Sequence, residues 1–318
     1  MAAPERRRTV LFYRSFKKFQ GGHLKAFDYF THVLSSPRHE AVVRFSEQSV
    51  WDERNPWRAH RSHVLAPGDP CHPDVLFLGG TDWRNLSEAE RESPPVPVVN
   101  LVQHVRHGVP DDPRYPFLRH RAVRICCSEE VAESIRATGK VNGPIFTIPY
   151  GLDGGRFPAP LPLGEKDLDL LVVAVKQPAL GRRLRRRLRR PGRSVRLLEE
   201  PVLRPDFLDL LNRARVTLFL PHESEGFYIP ALEGMALDTL VVCPDCVGNR
   251  SFCLPGRNCL RPPFSEPALR AAAREALRLS PDAGAALRVG ARETFARHDL
   301  PGERRRFLEI LDDVDRLW

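Results

Sequence analysis

Residues 216–237 read VTLFLPHESEGFYIPALEGMAL, an apolar run, a loop and a helical pattern in direct succession. VTLFL is apolar enough for a strand covered on both faces. Pro230 suits the first turn of a helix, where its missing N–H costs nothing, and Ala231 to Leu237 continue that helix. Strand, loop and helix together form the unit of a parallel α/β sheet, whose ligands bind beyond the carboxyl ends of the strands. The loop carries Glu225, and Glu233 is expected in the first helical turn. There the helix dipole stabilises a carboxylate without any ligand. That reading leaves Glu225, ahead of Gly226 in the loop, unexplained. Ionised carboxylates accept hydrogen bonds from paired hydroxyls such as those of a ribose or a pyranose. The backbone N–H groups of Gly226, Phe227 and Tyr228 are expected to face a phosphate at the helix start.

The same rhythm extends outward. Upstream come TVLFYR, EAVVRF, DVLFLG, VPVVNLVQH, AVRICC and IFTIP, then a Pro- and Gly-rich connector at 149–167. The rhythm restarts with LDLLVVAV, SVRLLE, VTLFL and TLVVC, and from residue 266 the pattern is helical only. These alternations predict an α/β chain of two doubly wound, Rossmann-like domains. The expected bounds are 1–160 for the first domain and 161–299 for the second, with a terminal helix at 300–318 turned back toward the first. At 318 residues, 42% hydrophobic and 28% charged, the chain is long enough for two cores.

The net charge of +9 is concentrated in residues 182–196, RRLRRRLRRPGRSVR, which hold nine arginines and no acid. With Leu180, Leu184 and Leu188 four residues apart, this segment reads as one amphipathic helix with a basic outer face. A solvated face explains it, and an anionic membrane surface or an acidic partner is the alternative. Nucleic acid is not expected, because no aromatic residue is interleaved to stack on a base. Seven cysteines, an odd number, fit thiols in a reducing compartment, and MAAPERRR runs into TVLFYR without a signal-like apolar stretch. A cytoplasmic protein is expected, peripheral to the membrane if the basic helix docks there. Cys243, Cys246, Cys253 and Cys259 have a spacing that invites a zinc site, yet the first ends a strand and reads as a packed thiol.

SEGFYIPALEGMAL resembles the signature of the retaining family-4 glycosyltransferases: a glutamate, seven residues, and a second glutamate. SEEVAES with IPYGLD, VVCPDCVGNR and GGHLKAFDYF are similar to further parts of that family, so the likeness covers nearly the whole chain. It implies the GT-B fold, two Rossmann-like domains facing a cleft. It implies transfer of a sugar from a UDP- or GDP-type donor to a hydroxyl of a small-molecule, glycan or lipid-linked acceptor, with retention. It implies no cofactor and no metal, since the acceptor proton passes to the leaving phosphate.

By the same resemblance Glu225 holds the transferred sugar and Glu233 the ribose. Lys176 lies on the leaving diphosphate, Gly21 and Gly22 beneath it, and His104 near the donor sugar, with His107 its competitor. The family's second basic residue falls on Gly181 here, so Arg182 is the substitute. Tyr150 replaces an asparagine usual before Gly151, and Tyr228 stands where a small residue is common. The alternatives are a GT-B nucleotide-sugar epimerase or glycan phosphorylase, and a non-catalytic nucleotide-sugar-binding protein docked on an anionic surface.

Overall fold

The computed structural model describes residues 6–17 and 21–318, which fall into two compact units. One contains the residues up to Tyr150 together with Pro301–Trp318, and the other is Gly151–Leu300. The chain passes from the first to the second at 150–151, inside the Pro- and Gly-rich connector, and returns at 300–301.

The first unit is built on seven parallel strands: β1 (Arg8–Arg14), β2 (His39–Phe45), β3 (Val64–Leu65), β4 (Val75–Gly79), β5 (Val98–Val102), β6 (Val123–Cys126) and β7 (Ile145–Thr147). Their order is β3-β2-β1-β4-β5-β6-β7. Parallel strands need crossovers, which put α1 (Gly21–Leu34), α2 (Glu88–Glu92) and α3 (Glu129–Arg136) between them. The order reverses between β1 and β4, so that pair marks the crevice where a ligand of this sheet would bind. Local chemistry starts α3: the Ser128 side chain accepts the Val131 N–H, and Glu129 and Glu130 lie in the first turn. β3 has no counterpart in the sequence reading, because two residues carry no periodicity. Arg124, on β6, is fully buried, and its guanidinium donates to the carbonyls of Phe117, Leu118, His120, Ala122 and Asn142.

The second unit holds β8 (Leu168–Val173), β9 (Val195–Leu198), β10 (Ala214–Phe219) and β11 (Leu240–Val242), parallel in the order β11-β10-β8-β9. Helices α4 (Pro178–Leu188), α5 (Arg204–Arg213), α6 (Ile229–Ala236), α7 (Glu266–Ala276) and α8 (Pro281–Ala296) belong to the same unit. Leu170, Val172, Leu184, Leu188, Val216, Leu218, Leu269 and Leu287 belong to its core. The switch point here lies between β8 and β10. The basic segment corrects one expectation. Its helix ends at Leu188, Gly192 turns with φ 73°, and Val195 and Arg196 are already in β9. Pro191 and Gly192 stop the helix, so the nine arginines do not share one face. Arg182 pairs with Glu199 and Arg183 with Glu266. Among the described residues no helix is long and apolar enough to cross a membrane.

The chain then continues as α9 (Leu300–Asp312) and α10 (Val314–Leu317). Phe307 packs edge-on against Tyr29, 4.8 Å between ring centres. Beside it Lys25, 0% exposed, places its ammonium 2.8 Å from both Asp28 and Glu303, and His32 Nε2 lies 3.1 Å from Glu303. Burial pushes the Glu303 carboxyl up, but Lys25 and His32 outweigh it and hold the group below its usual range. Arg38 and Asp312 add a surface pair at 3.0 Å. Breaking a buried pair by removing one partner leaves a charge unpaired, so Glu303→Ala should cost about 3–5 kcal/mol, read as a lower denaturation midpoint. An unchanged midpoint would show that the cluster does not hold this helix.

Candidate functional site

The loops after β8 and β10 meet at the switch point of the second unit. β8 delivers Ala174, Val175 and Lys176, and α4 begins at Pro178. The first turn of α4 lies close against the strand end. A Cβ on Gly181 would sit 2.3 Å from Ala174 Cβ and 2.9 Å from Leu197 Cδ1, so no side chain fits at that position. The loop after β10 brings Glu225 to Lys176, whose ammonium donates to Glu225 Oε1. The His222 N–H donates to the same oxygen at 3.1 Å. Lys176 remains 41% exposed while Glu225 is buried. The ammonium lies 5.6 Å from the centre of the Tyr228 ring, which packs edge-on against Phe219.

Glu233 is set differently. The helix begins at Ile229, which makes Glu233 its fifth residue, and no acid lies in the first turn. The expectation of a dipole-stabilised first-turn carboxylate is therefore corrected. The Glu233 side chain, 3% exposed, instead meets the guanidinium of Arg204, the first residue of α5. Burial pushes the Glu233 carboxyl up and Arg204 draws it down, with burial prevailing. The Arg204 guanidinium lies 5.7 Å above the Phe157 ring.

A second correction concerns the amides. The Tyr228 N–H donates to Gly248 O at 2.8 Å, so it is engaged within the protein rather than turned toward a phosphate. Phe227 stacks on Phe252, ring centres 4.8 Å apart, and packs edge-on to His298. Gly226 leads into this packing at a close approach, where Gly248 faces residues 225–227. The reciprocal bond from the Val247 N–H to Glu223 O, 2.9 Å, completes the seam.

Asn249 braces the Gly248 loop. Its Nδ2 donates to Cys243 Sγ and Pro244 O, and its Oδ1 accepts from the Cys246 N–H. Cys243, Cys246, Cys253 and Cys259 are buried free thiols. Among the described residues no group of three or more His, Cys, Asp or Glu side chains is arranged to hold a metal ion. An open depression of about 460 Å³ lies beside the glutamate loop, lined by Glu223, Ser224, Asp245, Val247, Arg250, Pro263 and Phe264. None of the site residues expected from sequence lines it.

The remaining expected residues are not brought to this cluster. Arg182 is 59% exposed and pairs with Glu199, beyond β9, on the side of β8 away from β10. The others belong to the first unit. His104 caps a 3-10 turn at Val105–Gly108, its Nδ1 accepting the Arg106 N–H at 3.1 Å. His107 is buried, and burial with Arg114 nearby pushes it down to about 3, so it is a neutral structural residue. Gly21 and Gly22 open α1, and Gln103 Nε2 donates to Gly22 O at 3.3 Å and to Tyr150 Oη at 2.7 Å. Residues 18–20, just before that helix, lie outside the described residues.

Polar groups missed in the sequence gather at the switch point of the first unit. Arg14 ends β1 and pairs with Asp82 at 2.7 Å, and Asp82 also accepts the Gly79 N–H. Arg14 Nη2 donates to His23 Nδ1 at 3.0 Å, while burial and Arg14 push His23 down to about 4. Arg14 and Arg204 gave no signal, being two of 43 arginines in a biased composition. At the seam of the second unit a Cβ on Gly248 would lie 2.6 Å from Phe227 N and 2.8 Å from Glu225 O. Gly248→Ala should therefore displace the glutamate loop and cost about 1–3 kcal/mol in chemical denaturation. A variant as stable as the parent would show that the seam yields.

No protein-family model matches the chain, and no curated protein sequence is similar to it. Solved structures are. Sucrose-phosphate synthase from Thermosynechococcus elongatus superimposes with a TM-score of 0.71 at 12% identity, over 98% of this chain and 100% of that one. HepE of Anabaena, in complex with UDP-glucose, gives 0.75 at 14%, over 96% and 100%. The UDP-forming trehalose-phosphate synthase of Burkholderia xenovorans gives 0.63 at 12%, over 98% and 100%. At these identities the likeness is one of fold, and the fold of this chain is that of the GT-B glycosyltransferases.

Proposed function

We propose that this chain is a glycosyltransferase that moves a sugar from a UDP- or GDP-linked donor to an acceptor hydroxyl, with retention at the anomeric carbon and without a metal ion. The observation that carries the reading is the Lys176–Glu225 pair at the switch point of the second sheet. There an exposed ammonium and a buried carboxylate stand where an α/β sheet receives its ligand. Lys176 and the His222 N–H both engage Glu225 Oε1, so the hydroxyls of the transferred sugar are assigned to Oε2. Glu233 is assigned to the ribose in the same way. Phe227 and Tyr228 act as packing behind the two carboxylates rather than as contacts to the nucleotide.

In the reaction the bond between the anomeric carbon and the diphosphate breaks, and the acceptor oxygen bonds to that carbon on the same face. The acceptor proton passes to the departing phosphate oxygen, so no protein base is required. Charge builds on the diphosphate as it leaves. The Lys176 ammonium is assigned to stabilise it, an effect worth about 3 kcal/mol for one preorganised group. Arg182 is left out of this role because it pairs with Glu199 beyond β9, on the side of β8 away from β10 and the glutamate loop.

Acceptor recognition is assigned to the first unit, where Arg14, His23 and Asp82 gather at the β1 and β4 ends. Gly21, Gly22 and His104, also in that unit, keep their donor-side assignments from the family resemblance. HepE, whose structure holds UDP-glucose, supports the donor class.

Glu225→Ala should lower turnover at least about a hundredfold in an assay of nucleoside diphosphate release, while still folding with a cooperative melting transition. Wild-type protein should be stabilised by the matching nucleoside diphosphate in a thermal-shift series. Near-parental turnover by Glu225→Ala would make the carboxylate structural and end this reading.

A further inference from the structure

The Arg204–Glu233 pair has no part in the reading above, yet it joins the ribose carboxylate to a cation from another helix. We propose that Arg204 is the positioning residue of the donor site, holding the Glu233 carboxylate ionised and aimed so that it receives the ribose diol of a nucleoside-diphosphate sugar. This rests on the assignment of Glu233 to the ribose and deepens it.

The geometry separates this role from that of a simple staple. Arg204 opens α5, where Pro205 fixes the first turn, and its guanidinium lies over the Phe157 ring, so its direction is set from two sides. The side chain is 32% exposed while that of Glu233 is 3% exposed, so the pair runs from solvent down to a buried acid. Arg204 binds Oε1. An ionised carboxylate offers about four acceptor positions, which leaves Oε2 for paired hydroxyls, whereas a protonated one gives up part of that capacity and becomes a donor.

The other charged groups around α6 are committed elsewhere. On α8, Arg288 donates to Asp238 O and Arg292 pairs with Asp238. Lys166 Nζ is held by the carbonyls of Asn212 and Leu237. Lys176 is bonded to Glu225. Tyr228, pushed well up by burial, stays neutral. Arg204 is therefore the cation that answers Glu233. Without it burial alone acts on the carboxyl and favours its neutral form.

The test is calorimetric titration of UDP and of GDP into wild type, Glu233→Gln, Arg204→Met and Arg204→Lys, at about pH 6.5 and about pH 9, with a melting curve for each. Wild type should bind one of the two nucleotides at both pH values and sets the reference at each, since the nucleotide's own terminal phosphate titrates near the lower one; Glu233→Gln should bind it at least about tenfold more weakly than wild type at both. Arg204→Met should lose about tenfold at the lower pH and recover much of it at the higher, as the carboxyl ionises. Arg204→Lys, which keeps the charge but gives up the planar fork over the Phe157 ring, should lose clearly less than Arg204→Met at the lower pH. An Arg204→Met affinity equal to wild type at the lower pH overturns the proposal, and so does an equal loss at both pH values or an Arg204→Lys loss as large as that of Arg204→Met. If wild type binds neither nucleotide, or Glu233→Gln binds as wild type does, the ribose assignment falls and the proposal with it.

Discussion

Burying a carboxylate away from water costs several kcal/mol unless a cation and hydrogen bonds answer it, and this constraint organises both units. Among the described residues five acidic residues are buried: Asp28, Asp82, Glu225, Glu233 and Glu303. Lys25 serves Asp28 and Glu303, Arg14 serves Asp82, Lys176 serves Glu225, and Arg204 serves Glu233. Apart from Lys25 and Asp28, which share α1, each pair ties together elements distant in sequence. The Lys25 cluster fixes the last long helix to the first, and the Arg14 pair joins the ends of β1 and β4. The Lys176 and Arg204 pairs bring β8 and α5 to the loop and helix that carry the glutamate motif.

That motif was legible because its residue types are unusual for their place. An acid just ahead of a glycine in a loop that follows an apolar strand asks for a partner, and Glu225 has one. Strands of three or more residues were also legible, since parallel strands covered on both faces read as apolar runs. What sequence could not show was direction. The repeated arginines extended the predicted helix to residue 196, although Pro191 and Gly192 end it at Leu188. Starting α6 at Ile229 moved Glu233 out of the first turn and left it to Arg204. The Tyr228 amide was expected to face a ligand, but a second loop arrives through Gly248 to take it. Pairings of this kind depend on which loops the sheet order brings together, and a one-dimensional pattern does not contain them. Lys25 and Lys166, two of only six lysines, are buried for the same reason: each meets acceptors supplied from far along the chain.

The fold and the site make separate contributions. A GT-B fold supplies two parallel sheets, each with a switch point, and such scaffolds carry many chemistries. Specific chemistry comes from the side chains at the strand ends. In the second unit these are an ammonium and two carboxylates, the groups suited to a diphosphate and two diols. In the first they are a buried arginine–aspartate pair with a neutral histidine against it, a polar but nearly uncharged floor. The Gly248 seam holds the loop after β11 against the loop that carries Glu225.

The most direct measurement is a crystal structure of the protein with a bound nucleoside diphosphate. The account requires the ribose hydroxyls to lie within hydrogen-bond distance of Glu233, with the diphosphate beside Lys176. A nucleotide found instead in the depression lined by Asp245, Arg250 and Phe264, with both glutamates away from the ribose and the diphosphate, would contradict it.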